Sequence, residues 1–383
     1  MLSPTKNPFA SIPTAAYELP EALLEQLQTP ALVVYLDRVR DNIRSMIGYA
    51  GSPDRWRPHL KTTKMPEVWG ELLQAGVRHF KCATTREADV FVTLANSHEQ
   101  STDLLVAYPL RGPALHRLGM IAAQAKHTTM SVLVEDPELL ADLPDGMGVF
   151  VDVNPGMNRT GIPMADEAAV LAVVRAAGDR FRGLHFYDGH LHDEDLAARR
   201  TAIFAGYQRL LQLVALLAGE GIATPELITA GTPAFSHALQ FDAFANNAAF
   251  VHRISPGTVV FHDARSQFDN PDVELQPAAL VLSRVISHPA AGIATCDAGS
   301  KSIAAEAGDP CAFVLGNAAF VGLPPSEEHL PLRCTDALPA RGTFVMLVPR
   351  HVCPTVNLAE QCVLVDGDSP PRVVPVAARA HEL

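Results

Sequence analysis

The sequence predicts an α/β fold, a (β/α)8 barrel followed by a second, mainly β domain. Three observations carry that prediction. Apolar β-type runs and amphipathic helical runs alternate eight times over roughly 210 residues, the pattern of a barrel. No Gly-x-Gly-x-x-Gly fingerprint follows the first strand, which argues against the open doubly wound sheet that is the alternative. From about Ser266 the long helical periods stop, and short strand-like runs separated by turn residues take over. A chain of 383 residues is too long for one ordinary core and fits a barrel of about 250 residues plus an appendage.

In chain order, the first thirty residues are irregular and dotted with proline. A β-branched run follows at 31–36, and Asp37 stands where it can cap a helix with apolar positions at Val39, Ile43, Met46, Ile47 and Ala50. The first barrel strand is read at 56–60, with Lys61 at its C-terminal end and a helix opening around Pro66, since proline suits a helix's first turn. Further strands are expected at 77–83, 103–107, 129–135, 147–153, 181–187, 226–230 and 251–254, with helical stretches such as 85–95, 165–177 and 197–218 between them. The β domain carries candidate strands at 280–286, 293–296, 312–315, 344–347 and 362–365. This places the barrel at 31–265 and the β domain at 266–383.

Composition narrows the function. The formal net charge of −12 argues against nucleic acid or an anionic membrane as partner. No run of about 18 apolar residues is seen, so no membrane span is expected, and no apolar stretch near the N-terminus reads as a secretory signal. Six scattered cysteines fit reduced thiols better than a disulfide framework. A soluble cytoplasmic enzyme is the expectation.

Barrels keep their chemistry just after the C-terminal ends of the strands. Lys61 follows the first strand, and Arg57, His59 and Lys64 around it form a cationic cluster suited to an anionic ligand. A glycine-rich loop with Arg159 follows the fifth strand, and Tyr187, His190 and His192 follow the sixth. Gly231-Thr232 follows the seventh strand and Gly257-Thr258 the eighth, positions where barrels bind phosphate through backbone N–H groups and hydroxyls. Each loop alone is ordinary turn chemistry; jointly they outline a phosphate-bearing cofactor across the barrel mouth. In the β domain, Pro349-Arg350-His351-Val352-Cys353-Pro354 would, on a strand, turn His351 and Cys353 to one side as imidazole and thiolate ligands.

The run Arg57-Pro58-His59-Leu60-Lys61-Thr62-Thr63-Lys64 resembles the Arg-Pro-His-x-Lys-Thr-His-Lys run of the fold-type III pyridoxal-phosphate enzymes. The group in question is that of D-serine dehydratase, D-threo-3-hydroxyaspartate dehydratase and D-threonine aldolase, which share the alanine racemase-like N-terminal barrel. Thr63 departs from the group's frequent histidine. The resemblance implies that Lys61 forms the Schiff base with pyridoxal 5'-phosphate. It also implies that Gly231, Thr232, Gly257 and Thr258 hold the phosphate, and that Arg159 and Tyr187 lie on the ring side. By resemblance residues 1–30 join the β domain, and His351 and Cys353 hold a divalent metal. A thiolate ligand favours zinc. D-threonine aldolases use a His-x-Asp pair at that place.

The implied activity is a dehydratase that converts a D-3-hydroxyamino acid, D-threo-3-hydroxyaspartate or D-serine, to a 2-oxo acid and ammonia. Lys61 takes the α-proton, and the metal makes hydroxide a viable leaving group. A retro-aldol lyase is the alternative. An amino-acid racemase of this fold draws a tyrosine from its β domain, and no tyrosine follows Tyr207 here. A non-enzymatic cofactor carrier lacks the β domain altogether. The resemblance further implies a homodimer, with Asp297-Ala298-Gly299-Ser300-Lys301 the candidate loop for reaching a partner's barrel mouth.

Overall fold

Seven parallel strands alternate with helices in one part of the chain. The computed structural model describes residues 6–192, 195–245 and 247–382. The chain divides into two compact units, one of Met46–Lys61, Trp69–Gly257 and Ala380–Leu383, the other of Met1–Ser45, Thr62–Val68 and Thr258–Arg379.

In the first unit the strands are His79–Cys82, Thr102–Val106, Thr128–Val134, Gly148–Asn154, Phe181–Phe186, Glu226–Thr229 and Val251–Ile254, hydrogen-bonded in chain order. Each falls within a residue or two of its sequence-predicted place. They are near-continuous apolar runs because both faces are covered. Side-chain oxygens cap the helices that follow: Thr84 accepts from Glu87 N, Asp136 from Leu139 N and Asp166 from Ala169 N.

The predicted first strand differs. Residues 56–60 form no regular strand, because Pro58 has no N–H to give to a ladder. Instead they make one parallel bridge on each side, Trp56 to Ile254 and His59 to Lys81. Arg57 N donates to Ile254 O at 2.9 Å, Lys81 N to Pro58 O at 3.0 Å and Leu60 N to Lys81 O at 2.7 Å. The segment thus joins the last strand of the sheet to the first.

The helix Leu196–Gly219 is long and apolar enough to cross a membrane by length and composition, although Arg199, Arg200 and Arg209 interrupt its apolar run. Its buried positions Ile203, Tyr207, Leu210, Leu213 and Leu217 recur at helical spacing, as in the outer layer of a barrel.

The second unit is built on a nine-stranded sheet. Its central strand Ala279–Ala290 pairs with Ala31–Tyr35, with Ile293–Cys296 and with Phe344–Pro349, which in turn holds Ala312–Val314. Ala31–Tyr35 also runs parallel to Gln361–Asp366. The sequence-based boundary at residue 31 therefore differs from the strand pairing: β-branched residues 31–35 serve this sheet and not the barrel. The helix beginning at Leu36 follows that strand without a gap, so Asp37 lies in its first turn, paired with Arg40, and does not cap it. The leading segment is tied to this unit as well, through Asn7 Nδ2 to Val314 O and Tyr17 Oη to Pro277 O.

Candidate active site

The barrel unit gathers most of the predicted cofactor residues, but not with the cations the sequence suggested. Arg57 is fully buried in an ion-pair network. Its guanidinium grips Glu226 through two bonds of 2.9 Å and Asp103 at 2.6 Å, while Arg253 and Arg182 complete the two carboxylates. Glu226 begins its strand and Asp103 lies near the start of another, so this network lies towards the N-terminal ends of the strands, away from where barrels place chemistry. Lys64 is in the other unit, where its buried ammonium donates to Ala378 O. Arg57 and Lys64 are therefore committed to the fold and are not turned towards a ligand.

Two other cations take that place, and one was missed. Lys61 is half-buried in the turn after the bridging segment, its N–H held by His59 Nδ1 at 3.2 Å. Lys81 on the neighbouring strand is 2% exposed. Its Nζ lies 3.3 Å from His185 Nε2 and 5.6 Å from the centre of the Tyr187 ring. Arg159 lies over the same ring at 4.5 Å. Burial pushes the Lys81 pKa well below its ordinary range, and the charges of Lys61 and Arg159 push it further; Asp152 opposes them. Burial and Lys81 likewise depress His185, against the pull of Asp152.

Three polar residues standing alone in apolar strands mark this group: Lys81 between Phe80 and Cys82, Asp152 between Val151 and Val153, His185 between Leu184 and Phe186. Along a barrel strand such a residue faces the bore while its neighbours face the helices. That signal was present in the sequence.

Glycine shapes the wall. A side chain at Gly231 would come within 2.7 Å of the Tyr187 ring, and one at Gly257 within 2.3 Å of the His59 carbonyl oxygen. Thr232 follows Gly231 in the loop after Glu226–Thr229, where Ala230 takes a left-handed φ of 57°. Lys61, Lys81 and Arg159, with Asp152 as the opposing carboxylate, suit an anion. Gly231 makes room for the Tyr187 ring, an aromatic face of the kind on which a flat cofactor ring packs. These residues fit pyridoxal phosphate.

The metal pair lies in the second unit. The strand Phe344–Pro349 ends before it, and Val352 opens a helix, so His351 is the residue before a helix and Cys353 is inside its first turn. This corrects the strand reading; Pro354, at home in a first turn, was the overlooked signal. The two side chains still meet. Burial opposes the His351 imidazolium, but the hydrogen bond and charge of Cys353, with Asp263 and Glu306, raise its pKa to about 9. Thr62 and Thr258 hydroxyls lie 3.1 and 3.3 Å from Cys353 Sγ, and Glu306 Oε1 lies 2.5 Å from His351 Nδ1. Thr258, predicted for phosphate, is thus placed against the thiol. Among the described residues no group of three or more His, Cys, Asp or Glu forms a metal cage. A side-by-side imidazole and thiol still fit a soft divalent cation with two protein ligands. The loop 297–301 is pinned: Asp297 accepts from Ser283 Oγ and Arg284 N, and Lys301 pairs with Glu327.

Comparison with known proteins agrees with this architecture. Residues 34–264 match the family "Alanine racemase, N-terminal domain", and residues 278–365 match "Putative serine dehydratase domain". The chain is 31% identical to a D-threonine aldolase of an Arthrobacter species, over 90% of this chain and 91% of that one. It is 28% identical to a 3-hydroxy-D-aspartate aldolase of Paracoccus denitrificans, over 92% of each. It is 25% identical to a D-threo-3-hydroxyaspartate dehydratase of a Delftia species, over 89% of this chain and 95% of that one. The crystal structure of D-threonine aldolase from Filomicrobium marinum superposes with a TM-score of 0.81 at 27% identity, covering 92% of this chain and 95% of that one.

Proposed function

This chain belongs to the fold-type III pyridoxal-phosphate family of D-hydroxyamino-acid lyases, and within it we propose a dehydratase acting on a D-3-hydroxyamino acid, either D-threo-3-hydroxyaspartate or D-serine. The observation that carries this reading is the imidazole–thiol pair of His351 and Cys353. A thiolate ligand selects a soft cation such as zinc, where an oxygen ligand would select a harder one.

Pyridoxal phosphate, when bound, supplies the electron sink that acidifies the substrate's α-carbon. Lys61 would anchor it, and the Lys61 amine would be the base that takes the substrate's α-proton. Arg159 and Tyr187 would orient the ring, and Gly231, Thr232 and Gly257 would hold the phosphate through N–H and hydroxyl donors. His351 and Cys353 would hold the cation, whose Lewis acidity favours departure of a β-hydroxyl. The basic residues near the barrel mouth, Arg159 among them, favour a substrate with a second carboxylate, which is the ground for preferring D-threo-3-hydroxyaspartate to D-serine.

A second reading, retro-aldol cleavage to glycine and an aldehyde, is favoured by the greater identity to the two aldolases. The experiment that tests the dehydratase uses chelation and Cys353→Ala. Both should abolish ammonia release while the visible absorbance of the bound cofactor persists and borohydride still fixes it to Lys61. Ammonia release that survives thorough metal removal contradicts the reading.

A further inference from the structure

The two members of the metal pair are steadied by different groups. Thr62 and Thr258 hydroxyls face the Cys353 thiol, and the Glu306 carboxylate faces the His351 imidazole, with Oε1 2.5 Å from Nδ1. Glu306 lies 45 residues before His351, so the backbone has to deliver it.

One hydroxyl does most of this. Thr355, 1% exposed in the helix Val352–Leu358, donates through Oγ1 to His351 O at 2.9 Å and accepts from Ala304 N at 3.1 Å. It thereby ties the loop of Glu306 to the start of the helix. Gly308 N donates to Ala305 O at 3.2 Å, with Gly308 at a left-handed φ of 95°, so Glu306 stands in a closed turn. The backbone on either side of His351 is held as well. Arg350 N donates to Cys311 O at 2.7 Å, and Val352 N donates to Oδ2 of the buried Asp263 at 2.8 Å.

The Glu306 contact has a chemical consequence. A carboxylate only accepts, so His351 Nδ1 carries the proton, and Nε2 is the ring nitrogen left to offer a lone pair to a cation. A carboxylate behind a ligating imidazole fixes its tautomer and orientation and makes it a better donor. The Glu306 side chain is 52% exposed, and an exposed pair adds little to stability.

We propose that Glu306 is a positioning residue that sets the cation affinity of the His351–Cys353 pair by holding His351 in the tautomer and orientation that ligation needs. This rests on the reading that the pair holds a divalent cation. Zinc affinity and fold stability should therefore come apart when Glu306 is changed.

The test titrates zinc(II) by calorimetry into the full chain, loaded with pyridoxal phosphate and stripped of metal. Glu306→Ala should bind zinc about 10- to 100-fold more weakly than wild type, while the thermal midpoint of the metal-free protein stays where it was. Glu306→Gln keeps an accepting oxygen and loses the charge, and its affinity should lie between the two. Glu327→Ala, which removes an equally exposed carboxylate paired with Lys301, should bind zinc as wild type does. Zinc affinity of Glu306→Ala within twofold of wild type, with Cys353→Ala losing it, overturns the role of Glu306 alone. A wild type that takes up no zinc, or a Cys353→Ala variant that binds it equally well, overturns the metal pair and this inference with it.

Discussion

Replacing Arg57 with methionine separates structural cations from ligand-binding ones. The guanidinium is fully buried and bonded to two carboxylates that are themselves at most 9% exposed. Removing one partner of a buried pair leaves the other uncompensated and costs about 3–5 kcal/mol. Arg253 still neutralises part of Glu226 and Arg182 part of Asp103, which places Arg57→Met near the lower end, about 3 kcal/mol. Methionine fills much of the vacated volume, so the cavity contribution is small. Chemical denaturation should show this loss, while cofactor absorbance and affinity in the folded variant stay within twofold of wild type. Wild-type stability combined with loss of cofactor binding would refute the reasoning and return Arg57 to the ligand site.

Two further outcomes follow. Asp188 is buried, and burial outweighs its hydrogen bonds from Tyr207 and the backbone, raising its pKa from 3.8 to about 6. A carboxyl raised on folding destabilises the fold as pH climbs from its unfolded pKa through its folded one. Asp188→Asn should therefore stabilise the protein above pH 6, by at most about 3 kcal/mol, and leave it unchanged near pH 4; equal effects at both pH values would contradict this. We also propose a homodimer, checked by sedimentation at assay concentration; a fully active monomer would refute it.

Much of the architecture was legible because parallel strands covered on both faces are largely apolar, and the seven regular strands stand out against amphipathic helices. Pairing partners were less legible. Ala31–Tyr35 reads like any barrel strand, and only its register with residues 279–282 and 363–365 assigns it to the other sheet. Proline was under-read twice: Pro58 reduces a predicted strand to two bridges, and Pro354 marks the helix that carries Cys353.

In the candidate site, the expectations for Lys61, Arg159, Tyr187, Gly231 and Gly257 came from their places after strands. Arg57 was misread because charge in a linear sequence carries no direction, and its partners Glu226 and Asp103 lie far along the chain. Lys81 was missed for the converse reason: a lysine is ordinarily exposed. Its position alone between Phe80 and Cys82 was the hint that it faced inwards.

The central claim is that the bond broken joins carbon to oxygen and not carbon to carbon. Purified protein loaded with pyridoxal phosphate and zinc should be offered the D and L isomers of serine, threonine and 3-hydroxyaspartate, with ammonia, 2-oxo acid, glycine and aldehyde measured together. The account predicts ammonia and a 2-oxo acid in equal amounts, from D isomers only, with D-threo-3-hydroxyaspartate the best substrate. Glycine and an aldehyde as the products would contradict it.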